Sequence, residues 1–123
     1  MSAKTLLLVD DDADFLSGLE AFLVKKGYAV HTADSAEAGI EAGKRLKPDL
    51  FVLDVNMGGM DGYAMCAALK QDDQTFDTPV IFLSGRSEAG DMLRGYYAGA
   101  HDYLTKPVDL DEMLRKITKL IGA

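Results

Sequence analysis

The sequence has little that would support a secreted, metal-stapled or membrane-spanning protein. Cys66 is the single cysteine among 123 residues, so an internal disulfide is excluded, and no cysteines and histidines share zinc-ligand spacing. Cys66 stands among Ala and Met, which favours a small buried side chain over a reactive thiol. No apolar stretch is long enough to span a bilayer, and Met1–Lys4 leads directly into a strand-like run without a signal peptide. We therefore expect a cytoplasmic protein that makes no membrane contact.

Positive charge is also in deficit. The chain has 13 Lys and Arg against 20 Asp and Glu, and its formal net charge is −7. Such a protein repels phosphates, which argues against direct binding of nucleic acid or an anionic membrane. Hydrophobic residues make up 48% and charged residues 27%, the balance of an ordinary globular protein. We expect residues 1–123 to form one compact domain.

Strand-like apolar runs alternate with amphipathic helix-like segments along the chain. The predicted strands are Thr5–Asp10, Tyr28–Thr32, Leu50–Leu53, Val80–Leu83 and His101–Leu104. The predicted helices are Ala13–Lys26, a segment from Asp34 or Ser35 to about Leu46, Tyr63–Gln71, Glu88–Ala98 and Leu110–Ile121. Five strands and five helices in alternation indicate an α/β fold with a parallel sheet covered on both faces. We predict a flavodoxin-like doubly wound sheet of order 2-1-3-4-5, an order taken from known folds of this kind.

Four of the five predicted strands end in a side chain that can take part in chemistry. Asp10 and Asp11 end the first strand, Asp54 the third and Ser84 the fourth, and Lys106 follows the fifth. In such sheets, sites form beyond the carboxyl ends of the strands, so we expect these side chains around one crevice. Each residue alone would be more typical of a helix cap or a solvated surface. Capping does not predict a Lys-Pro after a short fifth strand, so the combination favours a functional site.

These residue types together suit Mg²⁺-dependent phosphoryl transfer. Converging carboxylates of Asp10, Asp11 and Asp54 would repel one another unless a cation lies between them, and oxygen ligands suit Mg²⁺. An ionised Asp54 can attack phosphorus. Mg²⁺ and the Lys106 ammonium can neutralise the charge of the transition state, and the Ser84 hydroxyl can hydrogen-bond the phosphoryl group. We predict catalytic roles for Asp54, Lys106, Ser84 and Asp10.

The motifs, in this order and spacing, resemble the receiver domains of response regulators in two-component systems. The segments that carry the resemblance are LLLVDDD, PDLFVLDVNMGGMDG, PVIFLSG and GAHDYLTKPV, and the resemblance covers the whole chain. It implies that Asp54 is the phosphoacceptor and becomes a 4-aspartylphosphate. It also implies that Asp11, Asp54 and the backbone carbonyl of Asn56 bind Mg²⁺, while Asp10 acts largely through bound water. Gly58 stands where the family usually has proline, so we expect a less rigid loop there.

The resemblance further implies a signalling switch and not a turnover enzyme. The phosphoryl group would come from a phosphohistidine on a sensor histidine kinase or a histidine phosphotransfer protein, and the domain would catalyse its own phosphorylation and slow dephosphorylation. Ser84 would then move toward the phosphoryl group, and Tyr103 would turn inward behind it. The face formed by helix four, strand five and helix five would change its affinity for a downstream output protein or domain. Such a domain would be a monomer or a phosphorylation-dependent dimer, and Asn56 and Arg86 occupy positions that tune phosphoryl lifetime in the family.

Two other classes of protein share parts of this pattern. Asp10 and Asp12 resemble the D-x-D start of haloacid-dehalogenase-type phosphatases, in which the first Asp is the nucleophile. Asp14 replaces the usual Thr or Val of that motif, and Asp54 would have no role in such an enzyme. A flavodoxin-like flavin-binding module would need a loop rich in Ser, Thr and Gly after the first strand, where DDDAD would repel phosphate.

Overall fold

A parallel sheet forms the centre of the computed structural model, which describes residues 3–57, 59–85 and 99–122. Its strands are β1 (Thr5–Val9), β2 (Ala29–Ala33), β3 (Leu50–Asp54), β4 (Val80–Ser84) and β5 (Asp102–Thr105). Every neighbouring pair runs parallel, and the strand order is β2-β1-β3-β4-β5. The predicted flavodoxin-like order is therefore confirmed. The observed strand bounds differ from the predicted ones by no more than one residue.

Four helices lie within the described residues. They are α1 (Ala13–Lys25), α2 (Ala36–Leu46), α3 (Gly62–Lys70) and α4 (Leu110–Ile121). Each begins after a side chain that accepts a hydrogen bond from a backbone N–H of the first turn, namely Asp12, Ser35, Asp61 or Asp109. The predicted fourth helix, over residues 88–98, lies outside the described residues, as do Gly58 and Arg86.

Two clusters of buried side chains cover the two sides of the sheet. The α2/α3 face comprises the strand residues Leu7, Val9, Phe51, Leu53, Val80, Phe82 and Tyr103 and the helix residues Ala36, Ala42, Tyr63, Met65, Cys66 and Leu69. The α1/α4 face comprises the strand residues Leu6, Leu8, Leu50, Val52, Ile81, Leu83 and Leu104 and the helix residues Leu16, Leu19, Leu23, Met113 and Ile117. Successive residues of a strand point to opposite sides, so each strand contributes to both clusters. This explains why β3 and β4 are apolar up to their last residue.

Two glycines of α2 let the helix backbone come close to side chains of the sheet. A Cβ atom on Gly39 would lie 2.8 Å from Val9 Cγ2, and one on Gly43 would lie 2.7 Å from the ring of Phe51. Gly18 of α1, in contrast, has no atom within 4 Å of a Cβ position. The glycines of α2 are therefore part of the packing, whereas Gly18 faces open space.

The position of Cys66 confirms the prediction of a small buried side chain. Cys66 is fully buried in α3, and burial raises the pKa of its thiol to about 11, so the thiol stays protonated at neutral pH. None of the helices in the described part of the chain combines the length and the apolar character needed to cross a membrane.

Candidate functional site

Three carboxylates meet at the carboxyl edge of the sheet, where β1 and β3 end side by side. Val9 pairs with Leu53, so Asp10 and Asp54 follow at neighbouring positions. One carboxylate oxygen from each of Asp10, Asp11 and Asp54 lies within 4.8 Å of the others. Asp10 and Asp54 are buried, and Asp11 is exposed. A set of oxygen ligands with one side open to solvent fits Mg²⁺, which keeps several of its waters.

Lys106 reaches this cluster from the segment that follows β5. Its Nζ atom lies 2.8 Å from Asp10 Oδ2 and 3.6 Å from Asp54 Oδ1. Burial lowers the pKa of Lys106, but its hydrogen bond to Asp10 and the charges of Asp54 and Asp10 outweigh burial and raise the pKa above its ordinary value. Lys106 is therefore a fixed ammonium between two carboxylates.

The surroundings of Asp54 disfavour its negative charge. Burial, as the largest cause, and the charge of Asp10, as the second, raise its pKa from 3.8 to about 6. Lys106 and a hydrogen bond from the backbone N–H of Asn56 act in the opposite direction, and Asp11 adds a small further repulsion. The site thus holds more negative charge than Lys106 neutralises, and a divalent cation between the carboxylates would lower the pKa of Asp54.

Ser84 and Asn56 complete the set of residues that the sequence singled out. Ser84 is buried at the end of β4, directly after Leu83, which pairs with Asp54. The backbone N–H of Lys106 donates to the Ser84 carbonyl oxygen at 2.7 Å. Asn56 is exposed two residues beyond Asp54. The structure thus brings Asp10, Asp11, Asp54 and Lys106 into one cluster and places Ser84 on the next strand end; their roles stay predictions.

The ring of Tyr103 points into the α2/α3 face and is 7% exposed. It packs against Phe82, with ring centroids 5.6 Å apart, and Phe82 packs edge-on against Tyr63 at 5.0 Å. The hydroxyl oxygens of Tyr63 and Tyr103 lie 2.5 Å apart and form a hydrogen bond. The predicted switch residue is therefore held in a row of three aromatic rings.

Two contacts at the site were not anticipated from the sequence. Lys106 Nζ lies 4.3 Å from the ring centroid of Phe15 in α1, a cation–π contact. Lys116 Nζ of α4 lies 2.7 Å from Asp102 Oδ1 and 2.9 Å from the carbonyl oxygen of Tyr103. In the sequence, Phe15 is one of several apolar residues of a helix, and Lys116 is one of several lysines of another. Nothing in their spacing indicates which residues each side chain contacts.

His31 and His101 lie away from this cluster. His31 is exposed in β2, one of the two edge strands of the described sheet. His101 precedes β5, and its Nδ1 atom accepts a hydrogen bond from the backbone N–H of Val80 at 3.3 Å. Their places are those of exposed or structural residues.

Comparison with known proteins gives this arrangement a family. The family model of the response regulator receiver domain matches residues 6–118. The transcriptional regulatory protein PrrA of Mycobacterium leprae is 42% identical over 98% of this chain and 51% of its own length. The transcriptional regulator RpaA of Synechocystis is 35% identical over 94% of the chain and 48% of its own length. The chain thus spans about half the length of these curated relatives.

Solved structures agree with the sequence relatives. A response regulator from Chloroflexus aurantiacus superimposes with a TM-score of 0.93 at 32% identity, over 99% of this chain and 100% of that one. The receiver domain of a sensor histidine kinase from Pseudomonas aeruginosa, with a magnesium ion coordinated in its active site cleft, superimposes with a TM-score of 0.90 at 26% identity, over 99% and 100% of the two chains. Together with the cluster of acids and Lys106 at the edge of a sheet of order β2-β1-β3-β4-β5, these matches show that the chain belongs to the response regulator receiver domain family.

Proposed function

We propose that Asp54 accepts a phosphoryl group from a phosphohistidine on a sensor histidine kinase or histidine phosphotransfer protein, as the switch of a two-component phosphorelay. The observation that carries this proposal is the buried carboxylate of Asp54, 3.6 Å from Lys106 and clustered with Asp10 and Asp11 at the open edge of the sheet. Membership of the receiver domain family supports the same role.

We propose that Mg²⁺ is held by the carboxylates of Asp11 and Asp54 and the backbone carbonyl of Asn56, with Asp10 acting through bound water. Three carboxylate oxygens within 4.8 Å of one another support a cation at this point. The magnesium ion in the cleft of the Pseudomonas receiver domain gives further support. When bound, Mg²⁺ would supply positive charge next to the phosphoryl oxygens.

The protein side chains divide the transfer between them. The ionised Asp54 forms a new P–O bond while the P–N bond to the donor histidine breaks, and the electron pair of that bond stays on the histidine nitrogen. The Lys106 ammonium, held by Asp10, faces the negative charge that spreads over the phosphoryl oxygens. The Ser84 hydroxyl donates to one of these oxygens. Because the acceptor is a residue of the chain itself, we propose a switch with slow self-dephosphorylation and no turnover of an external substrate.

The arrangement of Asp10 speaks against the rival phosphatase. Asp10 Oδ1 accepts a hydrogen bond from the backbone N–H of Asp12 at 3.0 Å, and Oδ2 accepts one from Lys106 at 2.8 Å. Each oxygen thereby accepts a hydrogen bond, which lowers the nucleophilicity of Asp10. The Asp12 side chain caps α1 and accepts from the N–H of Phe15. In the D-x-D phosphatase reading, these two acids would instead have to face the substrate.

We propose that phosphorylation is read out through Ser84 and Tyr103 by a face that contains β5 and α4; the helix predicted over residues 88–98 as the third part of this face lies outside the described residues. A phosphoryl group adds about −1.5 to −2 charges, enough to rearrange neighbouring side chains. A downstream output domain or protein would bind this face, and we expect no direct nucleic-acid or membrane contact from this chain. A cytoplasmic location, and a monomer or phosphorylation-dependent dimer, remain predictions.

The test is phosphorylation by acetyl phosphate with Mg²⁺, followed by intact-protein mass spectrometry. We expect the wild type to gain one phosphoryl group and Asp54→Ala to gain none. Asp73→Asn, which changes an exposed acid away from the site, is the matched control and should behave like the wild type. An equal gain in Asp54→Ala would refute the assignment.

Two further variants address the metal site and the rival enzyme. Asp11→Ala should weaken Mg²⁺ binding sharply, and unchanged affinity would show that the ligands are misplaced. Turnover of a phosphomonoester that persists in Asp54→Asn and is lost in Asp10→Asn would favour the phosphatase.

A further inference from the structure

Tyr63 lies at a junction between the phosphoacceptor and the switch residue. It is the second residue of α3, directly after Gly62. The backbone N–H of Gly62 donates to the carbonyl oxygen of Val55 at 3.2 Å. A Cβ atom on Gly62 would lie 2.3 Å from the carbonyl oxygen of Asp54. The start of α3 therefore rests on the backbone of Asp54, and Tyr63 follows from that contact.

The side chain of Tyr63 leads from this backbone contact to Tyr103. Both rings are 7% exposed, and both pack against Phe82. Their hydroxyl groups hydrogen-bond to each other inside the α2/α3 face. A polar group in such a core is stabilised by a partner, so each hydroxyl favours the buried orientation of the other ring.

We propose that Tyr63 is a positioning residue that holds the Tyr103 ring in its buried orientation through this hydroxyl pair, and thereby sets how readily the switch turns inward. The inference rests on the proposed function of Tyr103 and adds the residue that controls its orientation. Phenylalanine at position 63 would keep the ring contact with Phe82 and remove the hydrogen bond. A hydrogen bond of ordinary net strength corresponds to a change of about 2- to 10-fold in the population of the buried orientation.

The experiment follows Tyr103 directly by ¹⁹F NMR of the full chain labelled with 3-fluorotyrosine. The resonance is assigned with Tyr103→Phe, and its solvent-isotope shift reports exposure of the ring. In Tyr63→Phe we expect the Tyr103 resonance to move toward the exposed value. Tyr28→Phe is the matched control, since Tyr28 is equally buried on the other face and donates to the carbonyl oxygen of Gly122 at 3.2 Å. It should leave the Tyr103 resonance in place, and an unchanged resonance in Tyr63→Phe would overturn the inference.

A titration separates control of the switch from a purely structural effect. Beryllofluoride with Mg²⁺ serves as the phosphoryl mimic, and its midpoint is read from the Tyr103 resonance. The midpoint should rise about 2- to 10-fold in Tyr63→Phe, because a less populated buried orientation must be recovered by more ligand. It should stay at the wild-type value in Tyr28→Phe. Equal midpoints in the wild type and Tyr63→Phe would count against the inference.

A double-mutant cycle gives a second measure that does not depend on the mimic. Tyr63→Phe and Tyr103→Phe should each lower the folding equilibrium constant, and the double variant should lower it by less than the product of the two effects. Independent effects would contradict the hydroxyl pair. If Tyr63→Phe takes a phosphoryl group normally but Tyr103 is unaffected, the inference fails and the proposed function stands. If the wild type takes no phosphoryl group at Asp54, the proposed function fails whatever the cycle shows.

Discussion

The two faces of the sheet differ in what fills them. The buried part of the α1/α4 face is aliphatic apart from Tyr28 and Met113, and its helices approach through leucine, methionine and isoleucine side chains. The α2/α3 face contains Phe51, Phe82 and the Tyr63–Tyr103 pair, and the backbone of α2 comes close through its glycines. One face is a conventional apolar layer, whereas the other combines close backbone contact with buried hydroxyl groups.

The candidate site residues at the carboxyl edge of the sheet are also distributed between its two faces. Strand alternation places Asp54 on the side of Val52, in the α1/α4 face, where Phe15 contacts Lys106. It places Ser84 on the side of Phe82, in the α2/α3 face, together with Tyr103. The charged groups of Asp54 and Lys106 thus lie on one side of the sheet, and Ser84 and Tyr103 lie on the other. The two sides are joined by the strand backbone and by the contact of Gly62 with Asp54.

Gly62→Ala should have the largest effect, because it breaks that junction. Its new Cβ would lie 2.3 Å from the Asp54 carbonyl oxygen and 2.9 Å from Val55 Cα, both backbone atoms that cannot rotate away. We expect a loss of about 3 kcal/mol in the free energy of unfolding, measured with urea, and slower phosphorylation of Asp54. Wild-type stability would show that α3 can shift without disturbing the site.

Asp54→Asn should stabilise the protein in the absence of divalent cations at pH 8. The pKa of Asp54 is raised from 3.8 to about 6, so the folded state binds the proton more tightly and loses stability as the pH rises through about 6. Removing the charge should raise the free energy of unfolding by up to about 3 kcal/mol at pH 8. This gain should vanish below the unfolded pKa of 3.8. Urea denaturation across this pH range measures it, with Asp73→Asn as the exposed control. A gain in stability that does not depend on pH would show that the charge of Asp54 is not its cause.

Gly43→Ala and Gly18→Ala test the difference in backbone approach between the two faces. The Cβ of alanine at position 43 would lie 2.7 Å from the Phe51 ring, and we expect the free energy of unfolding to fall by about 1–2 kcal/mol. Alanine at position 18 meets nothing within 4 Å and should stabilise α1 by about 0.5–1 kcal/mol. Urea denaturation of both variants measures the contrast. If both variants change the stability in the same direction, the two faces do not differ in how closely the helix backbone approaches the sheet.

Phe15→Leu should have the smallest effect and should act on the chemistry. Leucine keeps an apolar side chain but removes the ring over which Lys106 lies, a contact worth about 0.5–1 kcal/mol. We expect about 2- to 5-fold slower phosphorylation by acetyl phosphate, followed by mass spectrometry, with little change in stability. Phe22→Leu is the matched control, since Phe22 lies on the same helix under Lys26. Equal rates in the two variants would remove Phe15 from the site.

The fold class and the charged residues of the site could be predicted from the sequence, because both depend on short-range patterns. Apolar runs that end in Asp10, Asp54 and Ser84 mark where strands stop, and parallel strands bring their carboxyl ends together. The strand order itself had to be taken from known folds, since alternation alone permits several. The Tyr63–Tyr103 pair was not predictable, because it joins a helix to a strand 40 residues away and depends on the exact depth at which α3 rests on Asp54.

Lys116 has a consequence for how the switch can move. By holding both the Asp102 carboxylate and the carbonyl oxygen of Tyr103, it fastens the β5 backbone to α4 at the proposed switch residue. If the main chain stays in this position, the proposed reorientation of Tyr103 would be a rotation about its own side-chain bonds. Such a rotation would break no ladder hydrogen bond between β4 and β5, so the proposed switch would leave the register of the sheet unchanged.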